Sequence, residues 1–399
     1  MARRLLALGG ALVFLVLTAP AEGRQQQGVD QKRIDEAIQR GVVYLRTSES
    51  SGWDQHINNC DELVLLTLLH ADVPDKDPKV QELLTKVLTA KMERTYKVSL
   101  LAMCLEELDR VKYQRKILEC AQFLVDNQCQ NGQWSYGEPS PFAPGTPSTA
   151  PKAAVASAAR EFTPGAAKEK PKVVHKLPVE KKREGPPTGD NSNSQYAALG
   201  LRACHDAGIL LPKQTVIKPA KNWWTTSQLG EKGGKDNAVA TAGGQLLADP
   251  RGWSYNTADP AYSSMTTGAI GAVCILDYIL GDDWKKDKVV AAGMGWLNKN
   301  FSVTENIGPC QTGGQAPKEF LYYYLYALER AGMLYDTAFI GNHDWYLDGA
   351  RVILDQQKPD GSWAESGPAT MRPTWDTCFA ILFLKRATRP LVVSVDRKK

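Results

Sequence analysis

Histidine is scarce in this 399-residue sequence: there are five, His56, His70, His175, His205 and His343, and none lies beyond position 343. Histidine is the commonest metal ligand and neutral-pH proton carrier, so such chemistry in the last fifty residues must use other groups. The eight cysteines include no C-x-x-C pair, which excludes a zinc ribbon and a thioredoxin-like redox site. An excess of one charge is also missing, since 48 Lys and Arg stand against 44 Asp and Glu, a formal net charge of +4. The basic residues are spread out apart from Lys181-Lys182-Arg183, so the sequence carries no nucleic-acid footprint. Beyond the N-terminus no apolar run is expected to reach the ~20 residues of a membrane span.

What the N-terminus does have is MARRLLALGGALVFLVLTAPAEG, with Arg3 and Arg4 ahead of an apolar stretch from Leu5 to Leu17. Small residues follow at Ala19-Pro20-Ala21 and Ala21-Glu22-Gly23. This is the layout of a secretory signal peptide over 1–23, with an uncleaved anchor as the alternative. The mature protein is expected to be exported, periplasmic or extracellular, with association with the cell envelope left open. Export permits disulfides. Cys104, Cys204, Cys274 and Cys378 nevertheless sit inside apolar helical runs, as small core residues do. Cys120 and Cys129 share one predicted helix about 13 Å apart along its axis, too far to bridge.

The remaining pattern is helical and of two kinds. Ile34, Ala37, Ile38, Gly41, Val42 and Leu45 follow the spacing of a helix with one buried face. Val80, Leu83, Leu84, Val87 and Leu88 repeat it behind Asp77-Pro78, an N-cap followed by proline at the first helical position. Other runs, such as LVLLTLL at 63–69, GAIGAVCILDYI at 268–279 and FAILFL at 379–384, are apolar on nearly every side and must be surrounded by helices. Amphipathic segments are predicted near 32–46, 79–92, 115–128, 217–228, 286–300 and 344–357. Apolar partners are predicted near 60–71, 95–109, 194–208, 263–280, 319–332 and 374–387. Six such pairs, at a period of roughly 40–55 residues, predict an all-α array of hairpins closed on itself, apolar helices inside and amphipathic ones outside. One part, 28–137, precedes a segment at 138–190 that holds ten of the 23 prolines and no Trp or Tyr. That segment is expected to be a disordered insertion, and 191–390 completes the array.

Glycine and tryptophan recur where an amphipathic helix gives way to an apolar one: Gly52-Trp53, Gly132-x-Trp134, Gly252-Trp253 and Gly361-x-Trp363. Glycine supplies the backbone freedom of a helix end, and the indole is expected to wedge between hairpins. A preceding Gln, Gln128 or Gln357, is expected to bond the N–H groups that open an inner helix. The strings QNGQW and QQKPDGSW resemble the QW motif of squalene–hopene and oxidosqualene cyclases. These belong to the terpenoid cyclase and protein prenyltransferase superfamily, and the resemblance implies an (α/α)6 toroid of six hairpins. The motif's role in that superfamily is structural. The Asp-x-Asp-Asp and Asp-Cys-Thr-Ala-Glu strings of its cyclases and the Gly-Cys-Gly-Glu-Gln of its thioester proteins do not occur here. Asp376-Thr377-Cys378 matches the first two zinc ligands of its prenyltransferases, but no histidine follows, so neither zinc nor another cofactor is expected.

Any site is expected on the rim where the inner helices begin, because helix N-termini carry partial positive charge and free N–H donors. The residues placed there are Trp53, Asp54, His56, Asp61, Glu62, Gln195, Tyr196, Tyr255, Ser263, Tyr323, Trp375 and Asp376. Each also has a plainer reading: helix-start carboxylates for Asp61 and Asp376, a solvated loop for His56, N-capping for Ser263. Asp376, beside Trp375, is the candidate catalytic acid. The expected function is binding of a lipid, isoprenoid or glycan-like molecule in a central cavity. The rival is an enzyme, either a divergent terpenoid cyclase using Asp376 or a polysaccharide lyase or glycosidase using Asp54, Asp61 or Glu62.

Overall fold

The computed structural model describes residues 29–52, 56–139, 170–230, 239–240, 246–247, 249–257, 260–308, 319–365 and 372–391. The predicted signal peptide, Trp53, Asp54 and 140–169 lie outside them. Among the described residues are twelve α-helices. In chain order they are α1 (Gln31–Thr47), α2 (Asp61–His70), α3 (Pro78–Thr89), α4 (Thr95–Asp109), α5 (Gln114–Asp126) and α6 (Asn191–Asp206). Then come α7 (Lys218–Thr226), α8 (Ser263–Leu280), α9 (Lys288–Lys299), α10 (Leu321–Tyr335), α11 (Trp345–Asp355) and α12 (Pro373–Leu384).

Odd-numbered helices such as α1 bury one face, here Ile34, Ala37, Ile38, Gly41, Val42 and Leu45, although α5 is buried on all sides from Cys120 to Asp126. Even-numbered helices are buried almost throughout, as α12 is from Thr374 to Leu384. Burial on all sides forces them together. Thus α2 packs on α4, α4 on α6, α6 on α8, α8 on α10, α10 on α12, and α12 returns to α2. The odd helices cover this circuit, with α5 against α4 and α6, α11 against α10 and α12, and α1 against α12. One expectation needs correcting here. The 18 residues of α8 are long and apolar enough to cross a membrane, but they lie buried in the circuit as a core helix does.

The Gly-Trp turns join these helices with one repeated set of bonds. Trp134, Trp253 and Trp363 are buried, and their indole N–H groups donate to Leu124 O, Trp224 O and Ile353 O of the preceding outer helix, at 2.7, 2.9 and 2.7 Å. Their backbone N–H groups donate to Ser194 Oγ, Thr266 Oγ1 and Thr377 Oγ1 in the opening turns of α6, α8 and α12. The glutamines act differently from expectation. Gln128 donates to Val216 O at 2.8 Å and Gln357 to Ala37 O at 2.8 Å, carbonyls in the next hairpin, while each also bonds its own turn's glycine carbonyl. A carboxamide in the turn faces the following outer helix, where the accessible groups are carbonyls. Gly132 and Gly361 have φ of +93° and +87°, and a Cβ on either would collide with the backbone of Pro219 or Arg40. Gly41 of α1 leaves room for the Trp363 ring, and Gly293 of α9 for that of Trp253.

The segment expected to be disordered is in part a strap along α5. Gln114 Nε2 donates to His175 O and Gln122 Nε2 to Glu180 O, at 2.9 and 2.8 Å. Leu177–Pro178 pairs in parallel with Ile209–Leu210, Val179 is buried, and Lys182 N donates to Asp126 Oδ1. Low apolar content misled the expectation for 170–190, because this stretch is anchored by its backbone and by polar side chains of α5.

Replacing Trp134 or Trp363 by Ala removes a fully buried indole and its bond, and should cost roughly 3–5 kcal/mol each. Denaturant titration followed by circular dichroism measures this; wild-type midpoints would show that the turns do not hold the hairpins.

Candidate functional site

The even helices start beside the turns, so their first residues gather around the axis of the circuit. There the expected cavity is filled. Tyr96 of α4 and Tyr196 of α6 have ring centroids 3.9 Å apart, and Trp375 of α12 lies 5.6 Å from Tyr96. Tyr323 of α10 stacks 6.2 Å from Tyr196 and meets Phe379 edge-on at 5.7 Å. All five are buried. Beneath them Arg330 of α10, 2% exposed, lies 4.3 Å from the Tyr326 ring centre and 5.3 Å from that of Tyr196. The four tyrosines of α10 divide as helical spacing requires. Tyr323 and Tyr326 join this cage, whereas Tyr322 bonds Gln356 and Tyr324 bonds Ser302 O in the outer layer.

A hydrogen-bonded chain leads from Arg330 to the rim. Arg330 Nη2 donates to Gln195 Oε1 at 2.8 Å, which turns the Gln195 amide nitrogen toward Tyr323 Oη at 2.7 Å. Tyr323 Oη is also 2.9 Å from the hydroxyl of half-buried Ser192. Gly268 of α8 makes this possible, since a side chain there would occupy the Gln195 amide.

Carboxylates sit around the same rim. Asp376 is 4% exposed and its Oδ2 accepts the Glu365 N–H at 3.1 Å. Glu365, two residues past Trp363, accepts the N–H groups of Phe320 and Leu321 that open α10, a helix without a side-chain cap of its own. Burial, and then the charge of Glu365, raises Asp376 well above the ordinary carboxylate range; burial raises Glu365 to about 7. Such a pair favours holding one proton between two acids. Glu62 is buried against Lys97 at 2.7 Å, with burial raising its pKa. Asp190 caps α6, is hydrogen-bonded by Tyr255, and is likewise raised by burial.

Of the described residues expected on the rim, Gln195, Tyr196, Tyr323 and Trp375 meet in the cage, Asp376 and Tyr255 border it, and Glu62 pairs with Lys97. Three lie elsewhere. Asp61 lines a cavity of about 430 Å³ in the outer layer with Lys79, Lys86 and Leu83. His56 is exposed, its ring 4.4 Å from that of Tyr136. Ser263 is wholly buried beside Tyr324 and caps nothing; Asn306 Oδ1 accepts the Ser264 N–H instead. Sequence reasoning missed Glu365, Arg330 and Tyr96. Tyr96 alone had a signal, as an aromatic in the first turn of an apolar helix. Among the described residues no three His, Cys, Asp or Glu side chains group as a metal site would require.

No family model matches the chain, and no curated protein matches it. Among solved structures it is similar to a possible member of GH105 family from Salmonella enterica subsp. enterica serovar Paratyphi A, at 10% identity and a TM-score of 0.50. That match covers 94% of this chain and 98% of the other, which is an α/α toroid, and it supports an α/α-toroid fold here. A type II terpene cyclase from Scytonema also aligns, at 11% identity and a TM-score of 0.32, over 90% of this chain and 99% of that one.

The folded state raises the pKa of Glu365 and Asp376, so their contribution to stability is full below the ordinary carboxylate pKa and is lost as pH rises through about 7. Thermal midpoints should therefore fall between pH 5 and pH 8, and Glu365→Gln, whose amide oxygen still accepts the α10 N–H groups, should flatten that fall. Equal slopes in variant and wild type would remove the pair as its source.

Proposed function

We propose that the chain is an exported (α/α)6 toroid of six hairpins that binds a glycan-like ligand across the rim where its inner helices begin. The observation that carries this is the filled axis. Lipids and isoprenoids need a deep apolar cavity, and here Tyr96, Tyr196, Trp375 and Phe379 occupy that space against one another. What the rim offers instead is hydroxyl, carboxamide and carboxyl groups beside aromatic rings, which suits a polyhydroxylated ligand. Ser192, Tyr323 and Tyr255 would face it, with Asp376 and Glu365 at one side.

A second reading, hydrolysis of such a ligand, draws on the carboxylate pair. An acid held protonated near neutral pH next to a second carboxyl group is what general acid–base chemistry requires. The same pair also clamps turn and helix together, a structural task that Glu365 performs on α10 regardless.

Calorimetry against soluble polysaccharides and against isoprenoid-loaded vesicles tests both readings. We expect binding to a polysaccharide only, weakened about tenfold by Tyr323→Phe through loss of one rim hydrogen bond. Reducing-sugar release that disappears in Asp376→Asn with binding retained supports the enzyme reading. Vesicle binding without polysaccharide binding overturns the glycan proposal, and an Asp376→Asn protein that binds and acts like wild type leaves Asp376 a helix-start carboxylate.

A further inference from the structure

The chain that follows α12, residues 385–391, crosses the end of the circuit opposite the rim. Its anchors lie toward the C-terminal ends of four even-numbered helices. Lys385 Nζ is 2.7 Å from Asp72, just past α2, and Arg389 Nη2 is 3.0 Å from Glu107 of α4. Arg202 of α6 donates to Pro390 O at 3.2 Å. Between these ties Thr388 lies against Glu329 of α10, its N–H 2.9 Å from one carboxyl oxygen and its hydroxyl 2.7 Å from the other. Ala387, Thr388 and Leu391 are buried. Arg386 and Pro390 are exposed and form one wall of a cavity of about 500 Å³ with Met333, Trp345 and Tyr346.

The ion pairs of Lys385 and Arg389 are partly exposed and contribute little. The bond to Glu329 differs, because that carboxyl group is 0% exposed. The groups that face it are Arg330 and Tyr326 of α10, Arg202 of α6 and Tyr346 of α11. Arg330 is committed to Gln195 and Arg202 to Asp206, while Arg386 of the strap lies over the Tyr346 ring at 4.4 Å. As a neutral acid Glu329 fits Thr388 without loss: one oxygen accepts the N–H and the protonated one donates to the hydroxyl. As a carboxylate it still accepts two bonds, but its charge has lost its hydration. Burial accordingly raises its pKa to about 7. Lifting the strap readmits water to the carboxylate, so ionisation favours the open form.

We propose that residues 385–391 are a pH-sensitive strap, held across the ring by a proton on Glu329 and released when that proton is lost. Closure is fully supported below the ordinary carboxylate pKa, weakens as pH rises through about 7, and weakens no further beyond it. Release moves one wall of the neighbouring cavity and unties α2, α4 and α6 from α10.

Hydrogen exchange of the full-length chain tests this, read on peptides covering 385–391 and corrected for intrinsic exchange with an unstructured reference peptide. Protection of the strap should fall at least about tenfold from pH 5 to pH 8, the effect of one pKa unit, while that of α4 and α6 changes less. Glu329→Gln mimics the neutral acid, accepting from the Thr388 N–H and donating to its hydroxyl, and should keep the strap protected at both pH values. Thr388→Val removes the hydroxyl and should leave the strap weakly protected at both. Glu365→Gln should respond as wild type does, which separates the strap from the acid pair at the rim. Should Glu329→Gln not fold, Thr388→Val decides. Equal protection of the wild-type strap at pH 5 and pH 8 overturns the proposal, as does a wild-type pH response in Glu329→Gln or in Thr388→Val.

Discussion

A tryptophan that follows a turn glycine has two N–H groups to place, and where they go decides how each hairpin meets the next. In Trp134, Trp253 and Trp363 the indole N–H is bound by the helix just completed and the backbone N–H by the helix about to begin. That fixes the angle within one hairpin. Gln128 and Gln357 then reach the next hairpin, at Val216 O just ahead of α7 and at Ala37 O of α1. Each bond is modest in isolation, but those of the three tryptophans and of Gln128 are buried, so breaking one leaves a desolvated polar group and not a hydrated one. At the last turn the following helix is α1, more than 300 residues back in sequence. The local device of these turns thus becomes, at Trp363 and Gln357, the seam that closes the circuit.

Closure has a consequence for chemistry. Six helices that each bury every face leave a narrow axis, and large residues fill it. Any polar group there must find its partner within the ring, as Gln195 does with Arg330 and Tyr323. The proposed ligand would therefore have to use the rim, where α6, α10 and α12 open.

The helices were legible in the sequence because burial pattern alone separates the two kinds, as α1 and α12 show. The direction of a first-turn side chain was not. Asp61 and Asp376 occupy similar positions in apolar helices, yet Asp61 turns to the outer layer and Asp376 to the turn after Trp363. Glu365 was illegible because it lies in a loop, where no periodicity marks a residue, and its partners Phe320 and Leu321 are some 45 positions away. Arg330 follows Glu329 at the polar end of an apolar run, which reads as a helix emerging into water. The strap at 170–190 was illegible for the opposite reason, since backbone hydrogen bonds to Gln114 and Gln122 leave no trace in composition.

The seam and the rim are not independent. Glu365 stands two residues after Trp363, on the turn that ties α11 to α12 and, through Gln357, to α1. Its carboxyl group caps α10, and its N–H is held by Asp376 of α12. The contact between Glu365 and Asp376 therefore sits on the element that closes the circuit. Ionising both acids sets like charges against each other at the junction of α10, α12 and the last turn. A ligand that presents a hydroxyl to one carboxylate, or that favours the singly protonated pair, stabilises the same junction. Binding at the proposed rim site would therefore be coupled to closure of the ring through that one pair of side chains, equally in both directions.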